Sequence, residues 1–125
     1  MIVGIGIDLV EIERIGALLA RQSAKQRAKL FTSRELRLAG SGRRSAETLA
    51  ARFAAKEAAM KALGAGVGQG VAYHEIEVVR ERSGAPRLVL HGGAKAVALA
   101  RGAKRFHVSL SHTATHATAV VVLER

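Results

Sequence analysis

The first ten residues, MIVGIGIDLV, alternate bulky and bare positions: Val3, Ile5, Ile7 and Leu9 are large, whereas Gly4, Gly6 and Asp8 are not. A period of two predicts a strand with one crowded and one bare face. Glycine weakens a strand unless something must come close, so a helix or ligand is expected to press against the bare face. Asp8, the only aspartate in the chain, stands on that face. Alone, it reads equally well as a helix cap ahead of Glu11.

The stretch Ser45 to Leu63 holds no glycine or proline, is rich in alanine and ends at Gly64. That pattern predicts a long helix with a glycine stop. Alanine accounts for 24 of the 125 residues and only four are aromatic, so the core is built from small units and is expected to lean on neighbouring subunits. The length suits a single domain spanning 1–125.

Elsewhere, Ile12, Ile15, Leu18 and Leu19 have helical spacing from Glu11 to Arg21. Thr32 and Ser33 are candidate caps before Glu35, in a segment of short helices and turns. Gly64, Gly66, Gly68 and Gly70 alternate with small residues and predict a loop. Strands are expected at Ile76 to Glu81 and Arg87 to Leu90, joined by a turn near Ser83 and Gly84, then a helix from Ala94 to Arg101. Two further strands, Arg105 to Ser111 and Thr118 to Leu123, close the chain. The fold class is therefore α+β, with a mainly antiparallel sheet, one long helix and several shorter ones.

Charge narrows the partners. Twenty Lys and Arg against ten Asp and Glu give a formal charge of +10, and between Arg14 and Arg44 nine basic residues face one acid, Glu35. An anionic partner is expected. The near absence of aromatics argues against a single-strand nucleic-acid platform, and no helix-turn-helix or finger spacing is visible. No apolar run approaches the ~20 residues of a membrane-spanning helix, so neither nucleic acid nor membrane is the expected partner. The absence of cysteine removes thiolate chemistry and suits a reducing cytoplasm.

Within the long helix Phe53, Glu57 and Lys61 share one face, and Arg52 and Lys56 lie on the adjacent stripe. Spacing alone favours a solvated helix laced with Glu–Lys pairs. If the glycine face of the first strand receives this helix, Asp8 and Glu57 become two hard oxygen donors suited to Mg²⁺ beside a substrate phosphate. The GAGVGQG loop lacks the lysine and hydroxyl residue of a phosphate-binding P-loop and follows a helix instead of a strand. In HVSLSHT, alternation puts His107, Ser109 and Ser111 on one strand face and Val108, Leu110 and His112 on the other. This suits phosphate or hydroxyl contacts for His107 and a structural hydrogen bond for His112, and disfavours zinc held by His107, His112 and His116.

Taken in order, GIGIDLVEIERI (4–15), FTSREL (31–36), RFAAKEAAMKALG (52–64) and HVSLSHT (107–113), with EIEV (75–78) and GAP (84–86), resemble the holo-acyl-carrier-protein synthase family of 4′-phosphopantetheinyl transferases. The resemblance implies that family's fold and the Mg²⁺-dependent transfer of phosphopantetheine from coenzyme A to a serine of apo acyl carrier protein. Adenosine 3′,5′-bisphosphate is released, in service of cytoplasmic fatty acid biosynthesis. It further implies that Asp8 and Glu57 bind the metal and that Lys61 neutralises phosphate charge. Arg52 and His107 would lie near the 3′-phosphate, while Ser109 and the glycine loop from Gly64 would line the nucleotide pocket. Arg14 and Arg21 would dock the carrier protein. Either Glu57, directly or through water, or a metal-bound hydroxide would take the serine proton. The family's short members resemble homotrimers with sites between subunits. Tyr73 and His74 depart from its pattern of a larger aromatic followed by an acid, and His116 occupies a position often aromatic.

Overall fold

The computed structural model describes all residues, Met1–Arg125. Strand β1 (Ile2–Glu11) runs into helix α1 (Ile12–Ala20), followed by two short helices, α2 (Ala24–Leu30) and α3 (Ser33–Ala39), and the long helix α4 (Arg43–Leu63). A 3₁₀ turn, Tyr73–Glu75, leads into the hairpin of β2 (Ile76–Arg80) and β3 (Pro86–Leu90). Helix α5 (Gly92–Ala100) and strands β4 (Arg105–His112) and β5 (His116–Glu124) complete the chain. All strand pairing is antiparallel and divides into a three-stranded sheet, β1-β5-β4, and the separate β2-β3 hairpin.

The bare face of β1 is the inner face. A Cβ built at Gly4 would collide with the Ala62 carbonyl of α4, and one at Gly6 with the Ala58 carbonyl. The missing side chains are thus what let helix backbone lie directly on strand backbone. Alanines complete this fit: Ala54, Ala55, Ala58, Ala59 and Ala62 are all buried along α4. Gly64 ends the helix in the left-handed region at φ 72°, its amide donating to the Met60 carbonyl at 2.9 Å.

The crowded face of β1 points the other way, which inverts the usual burial of bulky residues. Ile5, Ile7 and Leu9 are 65%, 64% and 65% exposed. Their cross-strand partners Val122, Val120 and Thr118 share that face. An apolar sheet surface is therefore left uncovered by the chain's own helices.

Helix α1 packs Ile12, Ile15 and Leu19 against α4, burying them with Phe31 and Leu49. Its N-cap is Glu11, with no side-chain cap. Asp8 therefore does not cap this helix; it lies on β1, clear of the helix start. Helices α2 and α3 each begin with a reciprocal capping box, Ser23 with Gln26 and Thr32 with Glu35. Glu75 accepts from the Ala72 and Gly93 amides at 2.8 Å each, tying the 3₁₀ turn to the start of α5. The Gly93 and Ala72 amides hold its carboxyl below the ordinary glutamate value.

Candidate active site

With α4 laid across the glycine face, positions a turn apart on the helix flank the strand. Asp8 and Glu57 line one cleft of about 610 Å³ with Phe53 and His116, α1 contributes Arg14, Ile15 and Leu18, and Arg21 follows at its C-cap. Lys61, one turn beyond Glu57, reaches back to β1. Its Nζ donates to the Ile7 carbonyl at 2.9 Å and to Asp8 Oδ1 at 3.2 Å. The lysine side chain is 56% exposed and the aspartate 16%, so the cation is free to turn toward a bound anion while the acid stays in place.

Glu57 is held from the opposite side. The Tyr73 hydroxyl donates to Glu57 Oε1 at 2.5 Å, and the Tyr73 ring stacks on Phe53 with centroids 5.4 Å apart. Burial first, and then the Glu57 carboxylate, push the phenol well above its ordinary range, so it is the donor throughout the neutral pH range. Asp8 and Glu57 each spend one oxygen on these contacts, and the second oxygen of each accepts nothing from the chain. His116 also lines the cleft, but no set of three His, Cys, Asp or Glu is grouped to hold a metal ion. Two carboxylates without soft ligands fit Mg²⁺, which takes few protein oxygens and completes its shell with water and phosphate; they do not fit zinc.

Two further recesses are present, of which the first shares Glu57 with the cleft. In the first, Gly64, Ala65, Gly66, Val67 and Gln69 of the glycine loop stand beside Glu57, Lys61 and Tyr73. In the second, of about 330 Å³, Arg44, Arg52 and Arg80 surround a space also lined by Thr48, Ser109 and His112. Arg52 is only 3% exposed and its Nε has no partner. Burial lowers its pKa, against the opposing charge of Glu35, and Arg80 adds to the lowering. Three guanidiniums lining a recess with a single carboxylate, Glu47, suit a phosphate dianion.

The structure thus brings together Asp8, Glu57, Arg14 and Arg21 in one cleft, with Lys61 and Gly64 beside it and Arg52 and Ser109 in the arginine recess. His107 stands apart, on the outward face of β4, with its Nε2 3.1 Å from Glu124 Oε1. His112 occupies the recess within this chain instead. Sequence reasoning assigned it only a structural bond, which it also makes, Nδ1 to the Thr113 carbonyl at 3.2 Å. Arg44, Arg80 and the Tyr73 hydroxyl were likewise not singled out. A signal for Tyr73 existed: it is the only tyrosine, three residues ahead of a predicted strand.

The helix face next to Glu57 is not solvated. Lys56 is fully buried and paired with the equally buried Glu35, Nζ to Oε1 at 2.8 Å. The surface reading of that stripe is corrected by the position of α3 and the hairpin over it.

A family model described as the 4′-phosphopantetheinyl transferase superfamily matches residues 4–121. A holo-[acyl-carrier-protein] synthase of Koribacter versatilis is 47% identical over 99% of both chains. Among solved structures, the holo-[acyl-carrier-protein] synthase of Neisseria meningitidis superposes with a TM-score of 0.89 at 30% identity, covering 100% of each chain. That of Bacillus anthracis, in complex with CoA (3′,5′-ADP), gives 0.81 at 38% identity over 98% of this chain and 96% of its own.

Proposed function

Because the chain belongs to the 4′-phosphopantetheinyl transferase superfamily, we propose that it is a holo-[acyl-carrier-protein] synthase using the cleft between β1 and α4 as its active site. The observation that carries this reading is the pair Asp8 and Glu57, from elements far apart in sequence, lining one cleft together with Arg14 of α1 and Arg21 at the end of that helix.

The carrier serine Oγ attacks the coenzyme A phosphorus that bears the pantetheine arm. A new P–O bond forms, the bond to the pyrophosphate bridging oxygen breaks, and adenosine 3′,5′-bisphosphate leaves. The serine proton passes to Glu57, directly or through one water. Asp8 and Glu57 would hold Mg²⁺, which when bound offsets the charge of the pyrophosphate oxygens. Lys61 supplies a mobile positive charge to the same oxygens. The recess of Arg52, Arg44 and Arg80 supports a role for Arg52 in holding the 3′-phosphate, and in this reading Ser109 and the Gly64 loop line the nucleotide.

The uncovered face of Ile5, Ile7 and Leu9 supports a homotrimer, in which His107, outward on the same sheet, contributes to a nucleotide pocket completed by a neighbouring chain. Sedimentation should then return three times the 13.2 kDa chain mass; a monomer at micromolar concentration would overturn the assembly. No helix is long and apolar enough to cross a membrane. We assign the reaction to cytoplasmic fatty acid synthesis.

The test is to incubate the protein with coenzyme A, Mg²⁺ and apo acyl carrier protein and to weigh the carrier. Gain of one phosphopantetheine is expected, and an unchanged mass removes the assignment. Docking is checked separately. Arg14→Glu and Arg21→Glu should each raise KM for the carrier about tenfold, with KM for coenzyme A little changed, and added salt should mimic the effect. An equal rise for both substrates would remove the docking role.

A further inference from the structure

Tyr73 is gripped at three points by one helix. Phe53 stacks on its ring, Lys56 Nζ donates to its carbonyl at 3.1 Å, and its own hydroxyl donates to Glu57 at 2.5 Å. All three partners lie on α4 within five residues, so the tyrosine cannot rotate away without breaking contacts at both ends. Lys56 is itself fixed, fully buried against Glu35. Tyr73, Glu57 and Lys61 all line the glycine-loop recess.

Resting on the reading of Glu57 as a metal-binding residue, we propose that Tyr73 is a positioning residue that sets the divalent-cation affinity of the site. By occupying Oε1, the hydroxyl fixes the rotation of the carboxylate and leaves Oε2 as the oxygen presented to the ion. Without it the carboxylate gains rotational freedom that a bound cation must remove, and loss of such a supporting partner typically weakens metal sites 10- to 100-fold. The ring and carbonyl contacts are separable from this role, since phenylalanine retains both.

The test is Tyr73→Phe, read by Mn²⁺ titration of the protein with coenzyme A under electron paramagnetic resonance, in parallel with the carrier-weighing assay. About tenfold weaker Mn²⁺ binding is expected, with a matching rise in the Mg²⁺ concentration for half-maximal rate and KM for the carrier unchanged. Thermal unfolding of Tyr73→Phe should stay close to the parent, whereas Tyr73→Leu, which also removes the stack, should lower it. Unchanged Mn²⁺ affinity in Tyr73→Phe, beside a parent that binds Mn²⁺ and transfers phosphopantetheine, overturns the positioning role and leaves the enzymatic reading standing. A parent that neither binds Mn²⁺ nor modifies the carrier overturns both.

Discussion

Asp8→Ala and Glu57→Ala are each expected to slow carrier modification on the order of 10²–10³-fold, as expected when charge stabilisation at a reacting phosphate is removed. Neither change should unfold the protein. The Asp8 partner, Lys61, has a side chain 56% exposed and regains water when the acid is lost, and the Ile7 carbonyl still accepts from it. Glu57 leaves behind a tyrosine hydroxyl at the edge of an open recess, where solvent replaces the carboxylate. The two acids act on one cation and Glu57 also takes the proton, so the double variant should be little worse than Glu57→Ala alone, the non-additivity of groups that work as a unit. Single-turnover rates by carrier mass, at saturating coenzyme A, measure this. Near-parental rates in either variant would remove the shared-metal account, and multiplied losses in the double variant would mean that the acids act in separate steps.

Much of this site was legible because its supports obey local rules. Glycines at alternate positions of β1 can be explained only by close approach, and Gly4 and Gly6 do meet α4 carbonyls. The glycine-free run ending at Gly64 has one reading, and the helix takes it, starting two residues early at Arg43. What periodicity cannot supply is which of two faces is inside. In β1 the bulky face turned outward, since α4 could approach only where side chains were absent. In β4 alternation separates His107 from His112, but which of the two comes near the arginines depends on elements far away in sequence: His112 and Ser109 line the recess, and His107 pairs with Glu124. The α4 stripe failed for the same reason. Charged residues at helical spacing look solvated until a partner from another element, here Glu35, is known to cover them.

That buried pair yields the second large effect. Lys56 Nζ donates to Glu35 Oε1, to the Tyr73 carbonyl and to the Ile76 carbonyl, and lies 5.4 Å from the centre of the Phe31 ring. Glu35 in turn accepts from the Thr32 amide at 2.9 Å and the Val78 amide at 3.0 Å, so α3, α4 and β2 converge on two side chains with no exposure. Burial lowers the Lys56 pKa despite the opposing pull of Glu35, the mark of a charge whose desolvation its partner does not fully offset. Such a pair adds little over an apolar replacement of both members, but removing one strands the other. Lys56→Met should therefore cost ~3–5 kcal/mol, leaving Glu35 without its ion-pair partner in the core. Lys56→Met with Glu35→Gln should recover part of that loss, since the amide oxygen still accepts from Thr32 or Val78 and no charge is stranded. Urea unfolding of the four proteins completes the cycle. An unchanged midpoint for Lys56→Met, or a double variant no better than it, would mean that solvent reaches Glu35 and that the pair does not hold these three elements together.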